Sequence, residues 1–239
     1  MPQHWRFWGT VLWGAVVAAT FVSLQVGTIL VLGHLPEKGA SEGELARFFE
    51  STVEDGTLFS VATFVTAAVC CPLVLAIIKL KKHSQVRDYL ALHVVPARTA
   101  LRWFGALAIA LAASDLLTFA LGRPIVPSSM SAMYATAHPA WLFWGALIVA
   151  APLFEELFFR GFLFKGLETS FLGTAGTIIV TSGIWAAIHL QYDAYGIATV
   201  FILGLLLGVA RAQEGTLLLP LGMHSAANLV AAIETATLG

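Results

Sequence analysis

Charge is what this sequence has least of. Asp, Glu, Lys and Arg together make up 11% of its 239 residues, where a soluble domain carries about 25%. With 58% hydrophobic residues, that deficit excludes an ordinary water-soluble domain and makes lipid the main solvent. A net charge of −1 leaves no electrostatic footprint for nucleic acid, and no nucleic-acid partner is expected. Cysteine is nearly absent: Cys70 and Cys71 stand side by side in an apolar run. Neighbours on one helix point about 100° apart, which suits no disulfide, and no metal-type cysteine spacing occurs. Both read as small core residues. There is no internal repeat, no low-complexity segment and no His-Glu-x-x-His sequence. The apolar run from Trp8 to Leu32 is longer than a signal-peptide core and reads as a retained first span.

What is present is a series of apolar runs. About 20 apolar residues cross a bilayer as a helix. Seven spans are read, at roughly 8–32, 57–79, 101–121, 140–166, 173–190, 195–212 and 216–236. An open sheet edge cannot survive in hydrocarbon. The expected fold is therefore all-α, a polytopic transmembrane helical bundle of about seven helices. It is read as one integral membrane domain over 1–239, with N-terminal spans and loops at 1–138 and the core helices that carry the candidate site at 139–236.

Loop charge gives an orientation. The segment after the second span holds Lys79, Lys81, Lys82, Arg87, Arg98 and Arg102. The segment after the first holds six acids (Glu37, Glu42, Glu44, Glu50, Glu54, Asp55) against Lys38 and Arg47. Lys and Arg mark the cytoplasmic side, so the N-terminus is expected inside and the C-terminus outside. Lys165 and Arg211 then fall inside too, and Arg123 is the mild exception. Residues 81–100 either lie along the cytoplasmic interface as an amphipathic stretch or form an ordinary loop. Residues 33–56 either form a short external helix through Glu44–Glu50 or are likewise a loop.

Six ionisable groups lie deep in apolar runs: Asp115, Glu155, Glu156, Arg160, His189 and His224, with Asn228 as a polar neutral. Each ionised group costs roughly 2.5–3.5 kcal/mol on insertion scales, so pairing or function must offset it. Glu156 and Arg160 are i and i+4 on one helical face and are placed to pair. Glu155 points about 140° from Arg160 and lacks that partner. It is the candidate general base, and Glu156–Arg160 the candidate brace. Pro152 is placed to bend the helix and free a carbonyl. A buried ion cluster without chemistry is the competing reading of the same three residues. Trp185 and His189 share a face at i, i+4, as do His224 and Asn228, and the last two are placed to bond one ligand oxygen. Asp115, beside Ser114, has an equally good structural reading and is left out of the site. By helical rise, Glu155 and His224 lie about 15 and about 14 Å from the cytoplasmic end, and His189 about 24 Å.

These residues resemble a known family. Glu155-Glu156-x-x-x-Arg160 is similar to its EExxxR motif, Trp185-x-x-x-His189 to its aromatic-xxx-His motif, where Phe is more usual than Trp, and His224-x-x-x-Asn228 to its third motif. The order and spacing resemble the CPBP family, which groups CAAX prenyl endopeptidases with bacteriocin-processing and immunity-type membrane proteins. The resemblance covers roughly residues 145–230.

It implies a glutamic intramembrane endopeptidase without cofactor or metal. Glu155 would activate water with Glu156 and Arg160 in support. His189 would help hold that water, and His224 and Asn228 would stabilise the oxyanion. A zinc site built from the two Glu and two His is the competing hydrolytic reading, disfavoured because Arg160 beside Glu156 repels a cation. Two readings involve no proteolysis: a non-catalytic immunity or scaffold protein of the same family, and a proton-coupled carrier. Carriers often show internal repeats with broken helices, and this sequence has no repeat.

The expected partners are the bilayer and a peptide or protein substrate, prenylated or leader-bearing. The expected location is a bacterial or archaeal cell membrane. Glu155, His189, His224 and Asn228 are expected to line one cavity, opening toward the cytoplasmic side.

Overall fold

The computed structural model describes residues 4–33 and 40–239. Glu37 and Lys38 of the charge pattern lie outside the described residues, as do Met1–Gln3 and the side chain of Glu50. Every regular element among the described residues is helical, as hydrocarbon demands of a chain that must satisfy its backbone within each segment. The order is α1 Phe7–Leu32, α2 Glu42–Val53, α3 Gly56–Leu80, α4 Val86–Tyr89 and α5 Ala97–Ala120. Then follow α6 Ser128–Thr136, α7 Ala140–Leu167, α8 Gly173–Ala187, α9 Ala194–Glu214 and α10 Leu218–Leu238.

The chain is a helical membrane bundle. Helices α1, α3, α5, α7 and α9 are each long and apolar enough to cross a bilayer. The reading of about seven spans counts α8 and α10 with them. Helix α8 is apolar but has 15 residues, and the 21 residues of α10 are diluted by Pro220, His224, Asn228 and Glu234.

The two segments with open readings resolve differently. Residues 42–53 do form a helix. Ser41 Oγ accepts from the Glu44 N–H while Glu44 Oε2 accepts from the Ser41 N–H, a reciprocal capping box. Residues 81–96 form a loop with one helical turn, α4, and 97–100 already belong to α5. His83 and Ala91 take left-handed backbone angles, φ 62° and 53°, and Pro96 precedes α5, so no long interfacial helix propagates. The apolar residues of that turn go inward instead: Tyr89 and Leu90 are buried, and Tyr89 stacks on Phe162.

Helix α7 is the spine of the bundle. Phe154, Phe158 and Phe162 stack successively along one face, and Phe21 of α1 extends the column. Its hydrogen bonding widens to the π pattern over Ala146–Ala150 and again over Leu157–Leu163. These two stretches bracket Glu155 and Glu156, and such bulges occur frequently at functional sites. Helices α8 and α9 approach closely at Gly204. A Cβ there would lie 3.0 Å from both Ser182 Cβ and Trp185 Cε3, so glycine permits the contact that delivers Trp185 to the centre.

Candidate active site

The two glutamates of α7 have opposite environments. Glu156 is fully buried. Its Oε1 accepts from Arg160 Nη1 at 2.9 Å, with both side chains 0% exposed, and lies 2.9 Å from His224 Nδ1. Arg160 Nη2 donates to the Gly204 carbonyl at 3.2 Å, and its guanidinium lies 4.5 Å from the Trp185 ring centre. The α7–α8–α9 junction is thus tied through one guanidinium, whose planar fork can serve two acceptors at once.

Glu155 is 17% exposed and faces a cavity that Glu156 does not reach. It is not partnerless, as its position opposite Arg160 on the helix suggests. Trp185 Nε1–H donates to Glu155 Oε2 at 2.5 Å, and His224 Nε2 lies 3.9 Å from the same oxygen. His224 therefore stands between the carboxylates, Nδ1 toward Glu156 and Nε2 toward Glu155. Trp185 packs edge-on against both imidazoles, with ring centres 5.2 Å from His189 and 5.1 Å from His224.

His189 is not inside a transmembrane helix. Helix α8 stops at Ala187, and His189 sits just beyond, with Nδ1 2.7 Å from the Trp185 carbonyl. A carbonyl only accepts, so Nδ1 carries the proton and Nε2 is the ring's free acceptor. The ring also stacks on Tyr192.

Asn228 Nδ2 donates to the Leu147 carbonyl at 2.7 Å. The reason lies in the π stretch. The Ala151 N–H reaches back five residues to the Ala146 carbonyl; the next such donor, for Leu147, would be Pro152, which has no N–H. Asn228 satisfies the carbonyl that Pro152 leaves free. His224 and Asn228 thus each have a protein partner, while one amide hydrogen and Oδ1 of Asn228 remain for other contacts.

Glu155, Trp185, His189, His224 and Asn228 line one cavity of about 210 Å³, ample for water at ~30 Å³ per molecule. Glu156 and Arg160 lie beneath it, fully buried, without lining it. Among the described residues no group of three or more His, Cys, Asp or Glu is arranged to hold a metal ion.

The cavity lies toward one end of the bundle. Its remaining walls include Gln25 late in α1, Phe59 and Thr63 early in α3, Met133 of α6 and Gln191 after α8. All lie toward one end of the bundle, where Gly56 bonds Thr136 of α6. The basic segment lies at the other end, where Trp5 Nε1 donates to the Ile77 carbonyl and Leu217 N to the Ala91 carbonyl. The cavity therefore runs away from the basic loops. Depth along single helices could not show this, because it ignores which helices flank the site and where each one stops.

Two side-chain amides of the cavity escape a search for ionisable groups: Gln25, whose Nε2 donates to Thr66 Oγ1 at 3.3 Å, and Gln191. For Gln25, an amide in an apolar run was the available signal, the same that singles out Asn228. Asp115 lies apart, in a polar cavity of about 430 Å³ with Arg123 and Tyr195. Arg123 there pairs with Asp193. The Gly196 N–H, and then Arg123, hold the Asp193 carboxyl below the usual carboxylate range.

Residues 137–230 match the family described as type II CAAX prenyl endopeptidase Rce1-like. An uncharacterized 24.3 kDa protein of Escherichia coli is 32% identical over 139 residues, or 56% of this chain and 60% of that protein. The match thus spans under two thirds of the relative's length. No solved structure matches the chain.

Proposed function

We propose that this chain is a member of the type II CAAX prenyl endopeptidase Rce1-like family, which residues 137–230 match, and that it hydrolyses a peptide bond within the membrane, with Glu155 as the base that activates water. The observation that carries the reading is the division of labour between adjacent carboxylates. Glu156 is sealed by Arg160 and His224, while Glu155 faces a cavity large enough for water and a peptide carbonyl.

The chemistry balances with these groups alone. Glu155 takes a proton from water as the water oxygen bonds to the substrate carbonyl carbon. Glu155 then returns that proton to the departing amine as the C–N bond breaks. His189 Nε2, free to accept because Nδ1 donates to the Trp185 carbonyl, orients the attacking water. The charge that develops on the carbonyl oxygen is met by the remaining Asn228 N–H and by His224. Such donors are effective because they are fixed in place before reaction in a largely dry site. When His224 carries both ring protons, it and Arg160 balance the two carboxylates. Arg160 and Glu156 position the site from below, and Trp185 holds the Glu155 carboxylate toward the cavity.

Arg160 also bears on the zinc reading. It puts a cation beside one of the carboxylates a metal would require, so the metal-free route is the better supported of the two hydrolytic readings.

The test is proteolysis by the purified, detergent-extracted protein on a library of membrane-proximal peptides. Glu155→Gln is expected to abolish cleavage while the protein remains folded and extractable. Full activity in that variant would remove Glu155 from the mechanism. Cleavage of nothing by the unaltered chain would favour the scaffold or immunity role.

A further inference from the structure

We infer that the catalytic cavity opens at the extracytoplasmic face, so that its substrate is an exported or membrane-anchored polypeptide presented from outside. This rests on the hydrolytic reading above and adds the side from which substrate arrives.

Two independent observations meet here. The first is the length of α8. Its 15 residues rise about 22 Å, short of the ~30 Å hydrocarbon core. It begins at Gly173, close to the N-terminal segment, where His4 bonds Thr169, and it therefore ends inside membrane depth. Non-helical backbone at that depth is tolerated only when buried in protein or lining a water-filled space. Ile188, His189, Gln191 and Tyr192, the residues that follow, do line the catalytic cavity. Water thus enters where α8 stops. A second hollow continues from the same place: Gln25, Phe59, Met133 and Gln191 border both, and Ile29 and Thr52 extend it toward α2.

The second observation is charge. The end of the bundle opposite the cavity mouth carries Arg6, Lys79, Lys81, Lys82, Arg87, Arg98, Arg102, Lys165 and Arg211 in short loops and helix ends, against Asp88, Glu168 and Glu214. The mouth end carries Glu42, Glu44, Glu54, Asp55 and Asp193 against Arg47 and Arg123, and Arg123 is spent on Asp193. Lys and Arg in short loops are retained on the cytoplasmic side. The mouth is therefore outside, and a peptide reaches Glu155 by way of α2, α6 and the 188–193 segment.

Single-cysteine labelling with a membrane-impermeant maleimide, in intact cells expressing the full chain, tests this. Ser128→Cys reports the mouth end, Gln191→Cys the cavity, and Lys82→Cys the basic end; the unaltered chain, with Cys70 and Cys71 inside α3, gives the background. Labelling of Ser128→Cys and Gln191→Cys in intact cells, with Lys82→Cys labelled only after permeabilisation, is the expected pattern. The reverse pattern overturns the proposal and returns the site to cytoplasmic substrates. So does labelling of both ends, which would mean two orientations. Protection of Gln191→Cys while Ser128→Cys reacts would show that the cavity is shut on that face, and overturns it too. Repeating the labelling in a Glu155→Gln background separates this test from the hydrolytic reading, because topology is read without activity.

Discussion

Removing Arg160 is the sharpest probe of the floor of the site. Arg160→Met deletes the bond to Glu156 at 2.9 Å and the bond to the Gly204 carbonyl at 3.2 Å. It leaves Glu156, 0% exposed, with His224 as its remaining partner. Breaking a buried pair from one side costs about 3–5 kcal/mol, since the surviving charge stays desolvated. At ~2–4 °C per kcal/mol for a chain of this size, the thermal midpoint in detergent should fall by about 6–20 °C. The companion variant is Arg160→Met with Glu156→Gln. It removes both charges yet keeps an oxygen for His224 Nδ1, and replacing a buried pair whole is often close to neutral. The double variant should therefore melt above the single Arg160→Met, although both are inactive. The assay is a melting curve followed by intrinsic fluorescence of the purified proteins. A double variant whose loss equals the sum of the two single losses would show that Glu156 and Arg160 do not act as a pair, and the brace argument would fail.

Asn228→Ala should lose about 1–3 kcal/mol by stranding the Leu147 carbonyl. Adding Pro152→Ala, which restores an N–H at the required position, should recover part of the melting temperature; no recovery would mean that the carbonyl is satisfied some other way. Trp185→Phe keeps the ring and removes one donor to a carboxylate, an interaction of about 1.5–3 kcal/mol. A fall in kcat/KM of about tenfold or more with near-unchanged melting is expected, whereas unchanged kinetics would reduce Trp185 to packing. Chelators should leave proteolysis intact, with no stoichiometric zinc by elemental analysis; inactivation by a chelator with rescue by zinc would turn the carboxylates and imidazoles into a ligand set.

Much of this molecule was legible in its sequence because hydrocarbon leaves few choices. A chain with so little charge and apolar runs this long crosses a bilayer as helices, and the five long spans follow their apolar runs to within a few residues. The Glu156–Arg160 pair follows from helical periodicity, and the freed carbonyl from the chemistry of proline. Such local facts need no tertiary information.

What the tertiary structure decided lies between helices. Trp185 and Glu155 are 30 residues apart, so no periodicity predicts that an indole N–H, absent from the more usual Phe, grips the carboxylate. The π stretches of α7 shift each later side chain relative to an ideal helix. The direction of the cavity depends on where α8 stops, and the apolar run continues past that point to Leu190. Sequence determined which groups had to avoid lipid; only the packing of α3, α6 and the 188–193 segment around them decided at which end of the bundle their cavity lies.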